Sequence, residues 1–155
     1  MTADVSSPPR LFTICEANAT LPLVRAITRD MVDVATDLVD RRDRLQALLA
    51  GRKLSPGNPY DDELVQMKDD LERDAVRIRE YVEELQQLGV EPKSATDGLV
   101  DFPGVLDGRH VYFCWKLGEE EVSHWHEIGG NYSTRKPLTH TGSRNQPPPR
   151  STSLS

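Results

Sequence analysis

The stretch LPLVRAITRDMVDVATDLVDRRDRLQALLA, residues 21–50, carries large apolar side chains three or four positions apart along most of its length. A second stretch, NPYDDELVQMKDDLERDAVRIREYVEELQQLG at residues 58–89, repeats the pattern. This spacing gathers the apolar side chains on one face of an α-helix. Glycine and proline interrupt the pattern between the two stretches. We therefore predict two long amphipathic helices that pack antiparallel as a helical hairpin.

Capping signals mark the ends of these helices. Thr13 and Glu16 have the spacing of a capping box, which predicts a short first helix. Pro22 should then start the longer helix as one of its earliest residues, because a proline is tolerated in a first turn. Asn58, which precedes a proline, predicts the N-cap of the second long helix, and Gly89 predicts its end.

One polar residue interrupts the apolar face of each long helix, Arg41 in the first and Asp74 in the second. In an antiparallel hairpin these two positions lie less than one helical turn out of register. We predict a partly buried ion pair that fixes the register of the hairpin and adds little stability. The alternative is that Arg41 extends to solvent and that Asp74 is solvated.

The last third of the chain is rich in aromatic residues, with six of the nine in the sequence between Phe102 and Tyr132. Residues 99–102 have the pattern of a short strand that stops at Pro103, and residues 110–115 have the strongest strand pattern in the chain. Three glutamates at 119–121 favour a helix start, so we predict a short helix over 122–128. The predicted fold is α+β and mainly helical: the long helical hairpin, a small β-hairpin and a short C-terminal helix.

Composition sets the limits of the folded part. The chain has 155 residues, 37% of them hydrophobic, and no run near the ~20 apolar residues of a membrane-spanning helix, which excludes a membrane protein. Residues 1–10 and 139–155 lack the apolar side chains of a core, so we predict a disordered N-terminus, one folded domain over 11–138 and a disordered tail. The net charge of −6 argues against a nucleic-acid partner. Two cysteines and no visible secretory signal favour a cytoplasmic location.

Several motifs occur in an order that resembles a known family. The run LFTICEAN at residues 11–18 is similar to the opening of that family, and GLVDFP at residues 98–103 is similar to its central signature. Further similar motifs are Cys114-Trp115, Gly118-Glu119, Trp125-His126 and the ending Arg135-x-Pro137-Leu138. Residues 11–138 thus resemble the bacterial family catalogued as domain of unknown function 2203, although Tyr132 stands where that family more often has phenylalanine. The resemblance implies a helical hairpin with a small β element in a cytoplasmic protein, and it implies no substrate and no catalytic residue.

Four polar side chains among these aromatics are candidates for a ligand or metal site: Asp101, Cys114, Glu119 and His126. Carboxylate, thiol and imidazole groups are ligands for zinc and iron. On the predicted helix, however, His124 and His126 point to different sides, and Glu119 lies about two turns from His126. The alternative is structural: Asp101 caps a turn, Cys114 is a small buried apolar residue, and His126 makes one satisfied hydrogen bond. Burial in a strand should raise the pKa of Cys114, which argues against a nucleophile.

Two functions stay open at this point. The one that the sequence favours is a non-catalytic interaction module without a cofactor, in which the helical hairpin forms a homodimer or binds a helical protein partner. A lone hairpin leaves apolar surface that a second copy could cover. The other is a metal- or small-ligand-binding protein, or an enzyme, with zinc or iron at the aromatic-rich end of the chain. In that case His126 is the first candidate, because the end of the predicted helix favours its charged form.

Overall fold

The protein is described by a computed structural model that covers residues 10–55 and 57–138. Two long helices come first, α1 (Ile14–Leu49) and α2 (Pro59–Gln87), and they pack antiparallel as the predicted hairpin. The predicted disordered tail, residues 139–155, lies outside the described residues, as does all of the predicted disordered N-terminus except Arg10. Neither described helix contains an apolar stretch that is long enough to cross a membrane.

The capping signals confirm the two helix starts. The Thr13 hydroxyl accepts from the Glu16 amide at 3.1 Å, and the Glu16 carboxylate accepts from the Thr13 amide at 3.0 Å. The Asn58 side chain accepts from the Tyr60 amide at 3.0 Å. Each cap satisfies amides that have no partner within the first helical turn.

The predicted break before Pro22 is wrong, because α1 runs without interruption through this residue. A proline inside a helix removes one backbone hydrogen bond and costs about 3 kcal/mol. The buried side chains Ala17, Leu21 and Val24 continue one apolar stripe across the proline and pack in the core. Their burial offsets the cost of the proline, whose ring lies exposed.

After the hairpin the chain forms one antiparallel sheet of five strands, ordered as they occur in the chain. This confirms the α+β class, although the sheet is larger than the predicted β-hairpin. Its strands are β1 (Glu91–Ser94), β2 (Leu99–Leu106), β3 (Arg109–Lys116), β4 (His124–Glu127) and β5 (Lys136–Pro137).

The short helix predicted over residues 122–128 is wrong, since the chain forms strand β4 there. The residues alternate in the way a strand requires: Trp125 joins the core beneath the sheet, while His124 and His126 point to the other face. The glutamates before them form a turn rather than a helix start, in which the Glu119 amide donates to the Lys116 carbonyl at 3.0 Å.

Strand β2 also continues past Pro103, where the sequence predicted its end. The Pro103 carbonyl accepts from the Phe12 amide at 2.8 Å, so the backbone polar groups of this residue face away from β3. The missing N–H of the proline therefore removes no hydrogen bond from the β2–β3 ladder.

The core lies between one face of the sheet and the base of the hairpin. Phe102, Phe113 and Trp115 are fully buried there, together with Met31 of α1 and Leu85 of α2. We call residues 35–49 and 59–75 the arm, because the two helices extend there beyond this core and none of these residues belongs to the core cluster. The opposite face of the sheet, which we call the outer face, carries the candidate site.

Candidate functional site

Three of the four candidate side chains converge on the outer face of the sheet. Asp101 of β2 lies directly opposite Cys114 of β3, and His126 of β4 lies opposite Tyr112, two residues from Cys114 along β3 and on the same face. Asp101, Cys114 and His126 are exposed by 3%, 0% and 2%. One potential ligand atom from each of the three lies within 4.8 Å of the other two. We call these three residues the polar cluster.

On the predicted helix, His124 and His126 would have pointed to different sides, but these residues form a strand. Residues two apart in a strand share a face, so His124 and His126 both lie on the outer face. His124 is outside the polar cluster, and its Nδ1 lies 3.2 Å from the Ser123 hydroxyl. Because His126 ends no helix, a helix dipole does not favour its charged form. Asp101 sits within β2 and does not cap a turn.

Both ring nitrogens of His126 are engaged. Nδ1 lies 2.9 Å from the Glu127 carbonyl oxygen, which can only accept, so Nδ1 carries a hydrogen and donates it. Nε2 faces the Asp101 carboxylate oxygen Oδ2 at 3.0 Å. A proton or a metal cation must therefore lie between Nε2 and Oδ2. No nitrogen of His126 is left to act as a base toward a substrate.

Asp101 has one oxygen without a partner. Its Oδ1 is buried and makes no hydrogen bond to any described residue. Burial raises the pKa of Asp101, while the neighbouring His126, Lys93 and the weak donor Cys114 oppose that rise. A buried oxygen without a partner costs free energy, so Oδ1 is an acceptor that is available to a ligand.

Cys114 is a poor nucleophile in this environment. Burial, together with the charge of Asp101, raises the pKa of Cys114 to about 12. The Arg135 guanidinium opposes that rise, with its Nη1 3.9 Å from Sγ. The thiol therefore stays protonated near neutral pH unless a cation displaces its proton.

Glu119, the fourth candidate, lies outside the polar cluster. Its carboxylate pairs with the Arg135 guanidinium, with Nη1 and Oε1 3.2 Å apart, and it also accepts from the Lys116 amide at 3.0 Å. Burial opposes ionisation of Glu119, but these bonds hold its pKa below the usual range. Glu119 thus fixes Arg135 beside Cys114.

A cavity of about 510 Å³ opens beside the polar cluster. Asp101 and His126 line one side of it, next to Tyr112. The loop of residues 128–133 lines the other side, and Lys93 of β1 also borders it. This volume is in the range of pockets that hold small molecules.

The sequence comparison matches residues 10–138 to the family described as an uncharacterized conserved protein, DUF2203. The chain belongs to the DUF2203 family. The matched residues include both helices, all five strands and the polar cluster. No curated protein and no solved structure matches the chain.

The sequence of this DUF2203 chain gave no indication that Lys93 borders the cavity. Strand β1, which carries Lys93, has only four residues and includes a proline, so its sequence gives almost no strand signal. Gly129, whose φ of +92° favours glycine, lies in the loop that lines the cavity. The register of β1 against β2, which no local pattern shows, brings Lys93 to the cavity.

Proposed function

We propose that the protein binds a divalent transition metal ion, with zinc as the first choice and iron as the second, at the polar cluster of Asp101, Cys114 and His126. The observation that carries the proposal is the convergence of one carboxylate oxygen, one sulfur and one imidazole nitrogen within 4.8 Å of one another in a buried position, where Asp101 Oδ1 also has no hydrogen-bond partner. Zinc in proteins is bound by such carboxylate, thiolate and imidazole ligands.

The geometry of the polar cluster suits one metal ion. Usual zinc–ligand distances place two tetrahedral nitrogen and oxygen ligands ~3.4 Å apart, close to the 3.0 Å between His126 Nε2 and Asp101 Oδ2. A sulfur and a nitrogen ligand would be ~3.6 Å apart, so the Cys114 side chain would shift by about 1 Å at most from the 4.8 Å limit. The bond from Nδ1 to the Glu127 carbonyl is also the usual way in which a metal-binding histidine is oriented.

Three protein ligands leave one tetrahedral position open. The cavity borders Asp101 and His126, so this position would face the cavity rather than the core. An open position is typical of zinc sites that bind or transform a small molecule, whereas structural zinc sites use four protein ligands. The proposal thus favours the ligand-binding function over a purely structural ion.

The test is zinc binding by protein that was purified without a histidine tag and stripped with a chelator. We expect one zinc ion per chain, measured by calorimetry and elemental analysis. Cys114→Ser and His126→Gln should each weaken zinc binding by more than about 100-fold, beyond the usual effect of losing a group that only orients a ligand. Cys15→Ser and His124→Gln are the matched controls, since Cys15 is exposed and His124 lies outside the cluster.

Two results would contradict the metal proposal. One is wild-type protein that binds no stoichiometric zinc. The other is Cys114→Ser and His126→Gln variants that bind zinc as the controls do. If the wild type binds no zinc and His126→Gln lowers the stability of the metal-free protein by about 1–3 kcal/mol, then Asp101 and His126 form a structural ion pair.

Self-association through the arm is the second candidate function. An apolar groove of about 310 Å³ runs along the arm, lined by Leu38, Leu45, Leu49, Leu71 and Ala75. Lys68 and Glu72 border the groove one helical turn apart on α2. If two arms cross antiparallel near residue 70, Lys68 of one copy meets Glu72 of the other, and both pairs have opposite charge. A second copy of the chain is therefore the occupant that we propose for this groove.

A further inference from the structure

Resting on the proposed metal site, we propose that the cavity on the outer face binds a small organic carboxylate with an apolar body. The carboxylate would take the open position of the metal ion and a hydrogen bond from Lys93. The three supports are the neutral charge of the loaded metal site, the free donors of Lys93 and the apolar walls of the cavity.

A bound divalent ion would leave the polar cluster without net charge, so the cluster would not repel an anion. The ion's two positive charges are balanced by the Asp101 carboxylate and the Cys114 thiolate, and His126 binds as a neutral ring. The Arg135 charge behind Cys114 is paired with Glu119. Among the described residues that line the cavity, Lys93 is then the one cation not used by the metal site.

Lys93 has donors to spare for a ligand. Its ammonium group lies 3.1 Å from the Glu91 carboxylate, which occupies one of its three N–H donors. Glu91 itself does not line the cavity, and it also accepts from the Tyr112 hydroxyl at 3.4 Å. The Lys93 side chain is 44% exposed, so its ammonium group can turn toward a ligand without leaving a buried position.

The walls of the cavity define the rest of the ligand. Leu99, Ile128 and the rings of Tyr112 and Tyr132 line it with apolar surface. Ile128 is 60% exposed and borders the cavity, so its side chain is accessible to a ligand there. A carboxylate with an aromatic or branched aliphatic body satisfies both the charged and the apolar parts of the cavity.

The test measures binding of benzoate to the zinc-loaded protein by calorimetry, with the neutral isostere benzamide as the matched ligand. We expect benzoate to bind at least about 10-fold more tightly than benzamide, and Lys93→Met to remove most of that difference. Lys53→Met, in the loop between the helices, is the control variant. With cobalt in place of zinc, benzoate should also change the visible absorption of the bound ion, because it enters the coordination sphere.

The zinc content of each sample separates the two proposals. Zinc-loaded protein that binds benzoate no better than benzamide, or equally well with Lys93→Met, overturns the carboxylate inference and leaves the metal site standing. Protein that takes up no zinc overturns the metal site and the carboxylate inference together.

Discussion

At the scale of single residues, Gly104 is the position where the sheet tolerates no side chain. A Cβ there would lie 2.4 Å from the Phe113 ring and 2.6 Å from the Phe12 carbonyl oxygen. The Phe12 backbone cannot retreat, because it bonds to β2 on both sides of this glycine, at Pro103 and at Val105. Gly104 thus lets the start of the chain lie against β2.

We predict that Gly104→Ala destabilises the protein by about 2–3 kcal/mol, because the added methyl group forces Phe12 or Phe113 out of place. Urea unfolding followed by circular dichroism measures the change. Val105→Ala, which removes atoms from a half-buried neighbour, is the control and should cost less. A Gly104→Ala variant as stable as the wild type would show that Phe12 can move.

The residues of the candidate site could be identified from the sequence because histidine and cysteine are rare in this chain. The chain has four histidines and two cysteines, so His126 and Cys114 stood out among the aromatics together with Asp101. Whether they meet depends on strand register, which pairs residues 25 positions apart and leaves no local pattern. The pairing of Glu119 with Arg135 could not be predicted for the same reason, because the two residues are 16 positions apart and the path of the final loop brings them together.

At the scale of elements, the two long helices could be predicted because caps and apolar spacing agree over many turns. Strand β4 could not, because Val122, Trp125 and Ile128 follow one another at intervals of three, as they would on a helix face. In the structure Val122 and Trp125 are buried in the core, whereas Ile128 is 60% exposed, so the three residues do not form one buried helix face. Pairing with β3 decided the conformation of a segment whose own sequence is ambiguous.

The ion pair between Arg41 and Asp74 belongs to this scale, because it joins α1 to α2 within the arm. Both side chains are partly buried, with 27% and 21% of their surface exposed. The hydrogen bond from Arg41 holds the pKa of Asp74 below its usual value, against the effect of burial. A carboxylate with a lowered folded-state pKa adds stability above its unfolded pKa near ~4, and that stability is lost as the pH falls through the folded pKa.

We therefore predict that Asp74→Asn costs on the order of 1 kcal/mol at pH 7 and that its difference from the wild type shrinks below about pH 4. Chemical unfolding at a series of pH values between 7 and 2.5 measures both. Asp69→Asn, an exposed carboxylate on the same helix, is the control and should leave the stability nearly unchanged at every pH. If the difference in unfolding free energy between wild type and Asp74→Asn does not change with pH, charge pairing does not contribute to stability.

At the scale of the whole molecule, the arm is the part that the rest of the fold does not cover. In residues 35–49 and 59–75 only four side chains are buried: Ala35, Leu45, Asp61 and Leu64. Two helices alone shield one seam and leave the groove beside it open. A second arm across it would complete a four-helix arrangement of the kind that usually buries such a seam.

We predict a dimer at micromolar concentration, measured by sedimentation equilibrium on metal-free protein. Lys68→Glu should weaken the dimer by about 10-fold, because it would place two acidic residues together, and Lys68→Glu with Glu72→Lys should restore it. Glu83→Lys, near the sheet end of α2, is the control. A monomer at all concentrations, or a double variant that fails to recover, would contradict the proposed packing.

The order of the strands has a consequence for how the protein folds. Each strand pairs with the next one in the chain, so Asp101 and His126 come together across 25 residues. The bridge between Phe12 and Gly104 spans most of the domain, and closing that longer loop costs ~1 kcal/mol more in chain entropy. We expect the sheet to form, with the polar cluster assembled on it, before the start of α1 packs against β2. Pulsed hydrogen exchange during refolding would measure this order. A newly synthesised chain would then bring Asp101, Cys114 and His126 together before its hydrophobic core is closed.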